Sequence, residues 1–319
     1  MAKLNILKLL TRPDKWYLGS GGPLVWTPPF PLYLDRLGFW DSAAWCDYEL
    51  GPIFTVALLD EAGSEILLRA KGRRWNPAYL EQRYDGEVQG SRFRVRSIER
   101  KCVVAGEKLA SEMTLKNASG RRLTLHLIAW TVQKKLPPQT IVFGDIQAGG
   151  DTIEFTKHLV HGSRPSLALR CRITLGGSHS QAIVDSEDSP MQPRWELSPF
   201  HERFNDGRLL SAPHAVSVEN EYVYIALFST LRLKRNEEAK VNITFSVSLA
   251  EGKVERVSSF KSQGSQTVGY LSSASVPTSP QAHPPAADIH SSPLISSISS
   301  WCDFFSSVPH FECSDEYLT

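Results

Sequence analysis

Apolar and polar residues alternate strictly along the segment 241–249, VNITFSVSL, and this pattern constrains the fold more than any other feature of the chain. The apolar positions of that segment are Val241, Ile243, Phe245, Val247 and Leu249. The segments 123–131, 167–175 and 222–233 repeat the alternation, and sequences rich in Gly, Asn and Asp separate them. Because successive side chains of a β-strand point to opposite faces, each segment is predicted to be a half-buried strand of an antiparallel sheet.

The region 53–250 contains many such segments and no stretch of about 12 residues with the 3.6-residue period of a helix. Its strands are numerous and often long, which favours a large sandwich over a small immunoglobulin-like one. We therefore predict an all-β fold, a large two-sheet antiparallel β-sandwich, in a first domain that comprises residues 1–257.

A segment rich in aromatic residues and prolines, 12–52, lies at the start of this domain. Prolines at this density exclude a long helix or a central strand. The rings are too many to be left in water. We expect an irregular segment that lies on a surface of the domain and packs against it through its rings.

The composition changes after residue 257. Residues 258–299 are rich in Ser and Pro, and Lys261 and Asp288 are their only charged residues. Such a sequence cannot bury enough apolar area to offset chain entropy, so we predict a disordered linker. Aromatic residues return in 300–319, where Ser300 is a candidate N-cap for a short helix.

The 35 Lys and Arg residues nearly cancel the 34 Asp and Glu residues, so no global charge favours binding to nucleic acid or to an acidic membrane. No apolar run approaches the ~20 residues of a membrane-spanning helix. Residues 1–16 lack the continuous apolar core and small-residue cleavage site of a signal peptide. We predict a cytoplasmic protein with no nucleic-acid or membrane partner.

Neither a metal nor a cofactor is predicted. The five cysteines are scattered without a Cys-x-x-Cys pair, and His158 and His161 would face opposite sides of a strand. The glycines of GSGG, 19–22, are followed by a proline-rich sequence that cannot open a phosphate-binding helix.

Arg92, Arg94 and Arg96 alternate along one predicted strand and could follow a row of phosphates. The alternative is a solvated sheet face on which acidic neighbours pair with them, and the near-zero net charge favours it. The acidic residues available as partners are Glu87, Glu99 and Glu112.

Carboxylates stand beside aromatic residues in two segments, 34–41 (LDRLGFWD) and 195–204 (WELSPFHERF). Carboxylates bind sugar hydroxyls and aromatic rings stack on sugar faces, but the same residue types also form domain interfaces. Both interpretations are open for this candidate site. Its residues are Trp26, Phe30, Asp35, Phe39, Trp40, Asp41, Trp195, Glu196 and Phe200.

Six segments, in this order, resemble the amino-terminal part of bacterial amylo-alpha-1,6-glucosidase-like proteins, which are glycogen-debranching-type glycoside hydrolases. The segments are 24–41 (LVWTPPFPLYLDRLGFWD), 51–60 (GPIFTVALLD), 73–80 (RRWNPAYL), 125–133 (LHLIAWTVQ), 195–204 (WELSPFHERF) and 301–318 (WCDFFSSVPHFECSDEYL). The resemblance implies a β-supersandwich of the kind that precedes a six-hairpin α/α barrel, with 300–319 as the truncated start of that barrel.

The resemblance also implies a function. The acid and base carboxylates of such enzymes usually lie in the barrel, so no catalytic residue is carried over to this chain. The expected role is that of a non-catalytic domain in carbohydrate metabolism. It would brace the barrel and partly line its active cleft with residues 26–41, and α-glucan or oligosaccharide would be the partner through the barrel. In the absence of the barrel, the aromatic rings of the loop and of the C-terminal tail would be exposed, namely Trp26, Phe30, Phe39, Trp40, Trp301, Phe304, Phe305 and Phe311.

Two other functions remain open. A stand-alone carbohydrate-binding module would need an exposed aromatic platform. A mutarotase-type sugar-converting enzyme would need an acid and a base that converge on a sheet face. The candidates for that pair are His126, His214, Glu196 and Glu219, and no spacing singles them out.

Overall fold

A computed structural model describes residues 14–46, 48–87, 94–135, 139–141, 146–159, 167–210 and 221–250. In these ranges the chain consists of β-strands and their connections, with a 3₁₀ helix at Trp195–Leu197 and no α-helix. The prediction of an all-β fold is confirmed.

The described residues form nineteen strands. They are β1 (Leu24–Val25), β2 (Gly38–Phe39), β3 (Ala44–Trp45), β4 (Tyr48–Glu49), β5 (Phe54–Leu59), β6 (Leu67–Asn76), β7 (Tyr79–Glu87), β8 (Arg94–Val104), β9 (Lys108–Asn117), β10 (Leu123–Lys134), β11 (Gln139–Ile141), β12 (Gln147–Gly149), β13 (Thr152–Leu159), β14 (Leu167–Leu175), β15 (Ser180–Ser186), β16 (Phe204–Asn205), β17 (Arg208–Leu209), β18 (Tyr222–Leu233) and β19 (Glu238–Leu249).

Two antiparallel sheets dominate the described part of the chain. The larger has nine strands in the order β11-β13-β14-β19-β9-β8-β7-β6, with β12 also paired to β13. The smaller has five strands in the order β15-β18-β10-β5-β2. The alternating segments form strands as predicted. In the β14–β19 pair, for example, Cys171 lies opposite Val247 and both side chains are buried.

The apolar faces of the two sheets meet in one continuous core. Strand β10 of the smaller sheet contributes Leu125 and Leu127, and β19 of the larger sheet contributes Ile243 and Phe245. This arrangement confirms the large two-sheet antiparallel sandwich that the alternation predicted and the resemblance implied.

The aromatic, proline-rich segment covers inner residues of the larger sheet. Trp26 and Phe39 are buried there, with their ring centroids 5.3 Å apart in edge contact. The indole N–H of Trp75 in β6 donates to the carbonyl of Tyr17 at 2.7 Å. The segment forms only two-residue strands. The prediction of an irregular segment packed through its rings is therefore confirmed.

A second core lies on the opposite face of the smaller sheet. Trp195 and Phe200, from the segment between β15 and β16, are buried against that face. Trp130 of β10 is their central neighbour, with ring centroids 6.5 Å from Phe200, 6.1 Å from Tyr224 and 5.0 Å from Trp40. Because both faces of β10 are covered, nearly all of its side chains are buried.

The outer face of the larger sheet carries ion pairs between neighbouring strands. Arg94 lies 3.8 Å from Glu87 and Arg96 lies 3.7 Å from Asp85. This confirms the solvated face that was the alternative to phosphate binding. The expected partnership of Glu99 with these arginines is wrong, because Glu99 is fully buried on the inner face of β8.

The predicted linker 258–299 and the predicted helical start 300–319 lie outside the described residues, as do Arg92 and His161. The domain boundaries stay predictions. Within the described ranges, no helix has the length and apolarity needed to span a membrane.

Candidate functional site

The 26–41 loop, residues 26–41, is organised by Asp41. Its carboxylate accepts hydrogen bonds from the backbone N–H groups of Leu32 at 3.0 Å and Tyr33 at 3.2 Å. Its backbone carbonyl accepts from the indole N–H of Trp26 at 3.1 Å. Burial raises the pKa of Asp41, and the two backbone N–H groups act in the opposite direction. Asp41, a predicted site residue, therefore fixes the shape of the loop.

A buried ion pair on β8, Lys101 with Glu99, holds the same loop against the larger sheet. Lys101 donates to the backbone carbonyls of Arg36 at 2.8 Å and Leu34 at 3.4 Å. Glu99, 3.7 Å from the Lys101 ammonium, accepts from the backbone N–H of Gly38 at 2.7 Å. Both side chains are at most 1% exposed. Two charges inside the domain thus satisfy three backbone groups of the loop.

Aromatic rings complete the surroundings of this pair. The Lys101 ammonium lies 5.6 Å from the ring centroid of Trp26 and 5.9 Å from that of Phe39, within the range of cation–π attraction. Burial lowers the pKa of Lys101, and the Glu99 carboxylate opposes that shift. Trp26 and Phe39 therefore act inside the domain as partners of a buried cation.

A cavity of about 300 Å³ opens between the loop, β5 and the start of β6. Its apolar wall includes Leu32, Tyr33 and Leu67. Its charged groups are Asp35, Arg36 and Glu65. Ligand cavities commonly combine an apolar lining with a few convergent polar groups, as this one does.

Glu65 is the most enclosed charged group of the cavity, with its side chain 14% exposed. It lies 3.0 Å from the guanidinium of Arg36 and accepts a hydrogen bond from the backbone N–H of Trp195. Burial raises the pKa of Glu65. Arg36 opposes this effect, and the negative charge of Glu196 adds to it. The segment after β15 therefore brings a further carboxylate, Glu196, near Glu65, although Glu196 does not itself line the cavity.

Glu196 differs from Glu65 in its environment. Although partial burial acts to raise it, the pKa of Glu196 is held below its ordinary value by its own backbone N–H and by the hydrogen-bonded Arg194. The site thus holds two carboxylates whose pKa values are shifted in opposite directions, beside the guanidinium of Arg36.

Asp35 lies at the rim of the cavity. It accepts hydrogen bonds from Arg73 at 2.6 Å and from Gln82 at 3.3 Å. The Nε of Arg73 and the Oε1 of Gln82 are buried and have no hydrogen-bond partner in the described part of the chain. Buried polar groups are usually paired. The surroundings of Asp35 therefore retain unused hydrogen-bonding capacity.

Large apolar side chains are exposed around the cavity. Leu32 is 80% exposed and Leu67 is 56% exposed, and both also line the cavity. Two exposed residues stand next to these segments without lining the cavity: Phe30, two residues before Leu32, is 84% exposed, and Leu197, next to Glu196, is 41% exposed. We call these four residues the apolar rim.

The predicted site residues fall into two groups. Asp35 lines the cavity, and Asp41 fixes the loop that forms one wall. Phe30 and Glu196 do not line it: Phe30 lies two residues before the lining residue Leu32, and Glu196 acts electrostatically on the lining residue Glu65. The other predicted residues are core residues that no ligand could reach without unfolding, and they are Trp26, Phe39, Trp40, Trp195 and Phe200.

The buried rings contradict most of the exposure that was predicted for the 26–41 loop. The prediction of exposed rings in the absence of a barrel is wrong for Trp26, Phe39 and Trp40, because each is at most 4% exposed. It is confirmed for Phe30, which is 84% exposed. The tail rings of the prediction, Trp301, Phe304, Phe305 and Phe311, lie outside the described residues. Whether the site contacts sugar or another domain stays a prediction.

Sequence reasoning missed Arg36, Glu65 and the pair Glu99–Lys101. The pair had a signal, because the period of two places Glu99 and Lys101 on the same face of β8 as Val95. Glu65 had none, since its role depends on the approach of Trp195 from a distant part of the sequence.

The structure lends no support to an acid–base pair built on His126. The His126 ring is 4% exposed, stacks on Phe228 at 5.7 Å and contacts the edge of Phe204 at 5.2 Å. Its Nδ1 lies 3.0 Å from the hydroxyl of Thr230, and burial lowers its pKa. His126 therefore packs within the second core, whereas Glu196 acts on Glu65 of the cavity. The candidates His214 and Glu219 lie outside the described residues.

The described residues contain no group of three or more His, Cys, Asp or Glu side chains placed to hold a metal ion. His158 lies on β13.

No protein-family model matches the chain, and no curated protein matches it. Among solved structures, a protein assigned as a kojibiose phosphorylase from the human microbiome is similar at 8% identity and a TM-score of 0.41, over 73% of this chain and 26% of that one. A glycosyl hydrolase of the GH92 family is similar at 9% identity and a TM-score of 0.37, over 72% of this chain and 30% of that one.

A protein assigned as an aldose 1-epimerase from Klebsiella pneumoniae subsp. pneumoniae is similar at 8% identity and a TM-score of 0.32, over 69% of this chain and 67% of that one. The chain spans about a quarter of the length of the first protein and less than a third of the second. The activities of these proteins are not transferred by likenesses of this size.

Proposed function

We propose that this chain is the non-catalytic N-terminal β-sandwich domain of a glycogen-debranching-type, amylo-alpha-1,6-glucosidase-like glycoside hydrolase. The 26–41 loop with its cavity braces an α/α-barrel domain and lines one side of the barrel's active cleft. The catalytic carboxylates belong to the barrel, and an α-glucan or oligosaccharide is the substrate.

The observation that carries this proposal is a rigid loop with an exposed apolar rim around a charged cavity. The rim offers apolar area to a neighbouring domain, and Phe30 and Leu32 alone are 84% and 80% exposed. Exposed apolar patches of this kind mark interaction surfaces. The loop is held by Asp41, Glu99 and Lys101, so it can meet a partner without reorganisation.

The chemistry of the cavity suits a neutral sugar. Carboxylates accept hydrogen bonds from hydroxyl groups, and the guanidinium of Arg36 donates them. Asp35 and Glu65 supply acceptors on two sides, and Tyr33 supplies an aromatic wall. Each lining carboxylate is paired with a guanidinium, Glu65 with Arg36 and Asp35 with Arg73, which favours a polar uncharged ligand over an ion.

Sugar contact is tested by titrating the purified chain with maltooligosaccharides and following amide chemical shifts by NMR. We expect weak binding, with a Kd on the order of 1 mM, and shifts confined to the loop and the cavity. Asp35→Asn and Glu65→Gln should weaken it. Glu238→Gln is the matched control, because Glu238 is exposed and pairs with Lys116 on the larger sheet. If all three variants weakened binding equally, or if the chemical-shift changes lay elsewhere, the cavity would not be the sugar-binding site.

Domain contact is tested separately with a hydrophobic dye and by sedimentation at several protein concentrations. We expect dye binding and self-association, both reduced by Phe30→Ser combined with Leu32→Ser. Leu249→Ser is the matched control, since Leu249 is 61% exposed at the end of β19. A clean monomer that binds no dye would contradict the bracing role and favour a self-contained carbohydrate-binding module.

A further inference from the structure

Strand β6 forms one edge of the larger sheet and pairs only with β7 among the described strands. An edge strand presents unpaired backbone N–H and C=O groups to any chain that can lie beside it. Most of β6 is exposed on both faces, in particular its stretch Arg69–Gly72. The strand is therefore an open edge of the sandwich.

Three cations on this edge have no partner among the described residues. Arg69, Lys71 and Arg74 are exposed, and none has an ion pair or a hydrogen bond from its side chain within the described part of the chain. Arg73, in contrast, pairs with Asp35. The unpaired cations on β6 differ from the other arginines of the same sheet, most of which meet a carboxylate.

The acidic residues that face these cations are already engaged. Asp85 lies opposite Arg69 in the β6–β7 register, but its carboxylate pairs with Arg96. Glu81 lies opposite Arg74, but its carboxylate pairs with Arg83 and Arg100. The edge therefore carries a surplus of positive charge that the sandwich does not neutralise.

A positive edge also excludes one kind of occupant. The register of β6 and β7 shifts between Ala70 and Gly72, and a bulge with basic side chains is a common device against pairing between identical edges. Two copies of β6 would repel each other. The same charges favour an acidic segment, so the occupant must differ from β6 itself.

We propose that β6 is the docking edge for residues 301–318 of the same chain. This segment has no Lys or Arg, and its four carboxylate side chains are Asp303, Glu312, Asp315 and Glu316. It also carries rings that can pack on exposed apolar side chains such as Leu67 at the start of β6. Charge and apolarity of the segment thus complement those of the edge. The docking goes beyond the proposed function and does not rest on it.

The chain length between the two partners permits this contact. Strand β19 ends at Leu249, and three strands separate it from β6 in the larger sheet. Strands in a sheet are ~4.8 Å apart, so β6 lies ~19 Å away. A random coil of ~50 residues has a root-mean-square length of ~40 Å, which exceeds this distance. Tethering also raises the effective concentration of the segment to the millimolar range.

Zero-length carbodiimide cross-linking of the full chain, followed by peptide mass spectrometry, tests the contact. Lys71 is the only lysine of β6, and we expect an amide between Lys71 and a carboxylate of 303–316 in the monomer. The Lys116–Glu238 pair, 2.8 Å apart, is the internal positive control. Absence of the Lys71 cross-link while the control forms would overturn the proposal. A Lys71 cross-link found only in covalent dimers would assign the edge to another copy's segment and overturn it equally.

Hydrogen exchange with charge variants provides the second test. Replacing Arg69, Lys71 and Arg74 by Gln should speed amide exchange in 301–318 about tenfold. The reason is that three exposed ion pairs together are expected to strengthen the docking equilibrium by about a factor of ten. The matched control replaces Arg170, Arg232 and Arg235, which are exposed elsewhere, by Gln. Equal exchange in both triple variants, or no response to salt, would contradict docking by charge. Protection of β6 amides only after addition of an anionic polymer would assign the edge to an external anion and contradict the proposal.

Discussion

Replacing Lys101 by Met removes the cation that holds the 26–41 loop on the larger sheet. The substitution keeps the length of the side chain but leaves the carbonyls of Leu34 and Arg36 without their donor. It also leaves the Glu99 carboxylate, which is 0% exposed, without a counter-charge. Breaking a buried ion pair by removing one partner costs about 3–5 kcal/mol. This is a large part of the ~5–15 kcal/mol that stabilises a typical domain.

The size of the effect can be measured by urea and thermal unfolding. For a domain of this size, 1 kcal/mol corresponds to roughly 2–4 °C, so the melting temperature should fall by roughly 6–20 °C. Lys116→Met is the matched control, because Lys116 makes an exposed ion pair with Glu238 and such pairs contribute little. We expect the control to melt close to the unmodified chain.

A double-mutant cycle with Glu99→Gln separates the ion pair from simple packing. Removing both charges leaves no uncompensated buried ion, so the double variant should be more stable than the sum of the single losses predicts. Glu99 also accepts from the hydroxyl of Ser111 at 2.6 Å and from Gly38, and Gln can keep an acceptor for these donors. Losses that add to within about 0.5 kcal/mol would refute the reasoning, because they would mean that the two charges do not interact.

Three further predictions concern stability, the loop and catalysis. Burial lowers the pKa of Lys157 to about 8 from its ordinary 10.5, so between these values the folded chain binds fewer protons than the unfolded chain and this group makes stability rise with pH. The unfolding free energy of the unmodified chain relative to Lys157→Met should therefore increase by about 2 kcal/mol between about pH 7.5 and 9.5, and a flat difference in urea titrations would contradict the shift. Asp41→Ala should speed amide exchange at Leu32 and Tyr33 while β10 stays protected, and unchanged exchange would mean that Asp41 does not hold the loop. The purified chain should not hydrolyse maltooligosaccharides, and hydrolysis abolished by Glu65→Gln would move the active site into this domain.

The strands could be predicted because their signal is local. In 241–249 every second residue is apolar, and burial of those residues on one face follows from the geometry of a single strand. The same holds for β14, whose bounds, Leu167–Leu175, coincide with the predicted segment. The irregular course of the N-terminal segment also followed from composition, because prolines limit the backbone wherever they stand.

The site could be predicted only in part. Asp35 and Glu196 were expected from the pairing of carboxylates with aromatic residues; Asp35 lines the cavity, and Glu196 helps to raise the pKa of the lining residue Glu65. The expectation failed for Trp26 and Trp195, because neighbouring sequence does not show whether a ring points to solvent or into a core. Both rings are at most 2% exposed.

The sequence by itself determined which segments become strands and which face of each strand is buried. Only the tertiary structure decided which charged groups are enclosed and what they meet. Glu65 and Trp195 are far apart in the chain, yet the backbone N–H of Trp195 donates a hydrogen bond to the carboxylate of Glu65. The charge of Lys101 can be buried because its ammonium donates a hydrogen bond to the backbone carbonyl of Arg36 in the loop. A charge can be buried only when another segment supplies its partner, and that partner is set by contacts between distant parts of the chain.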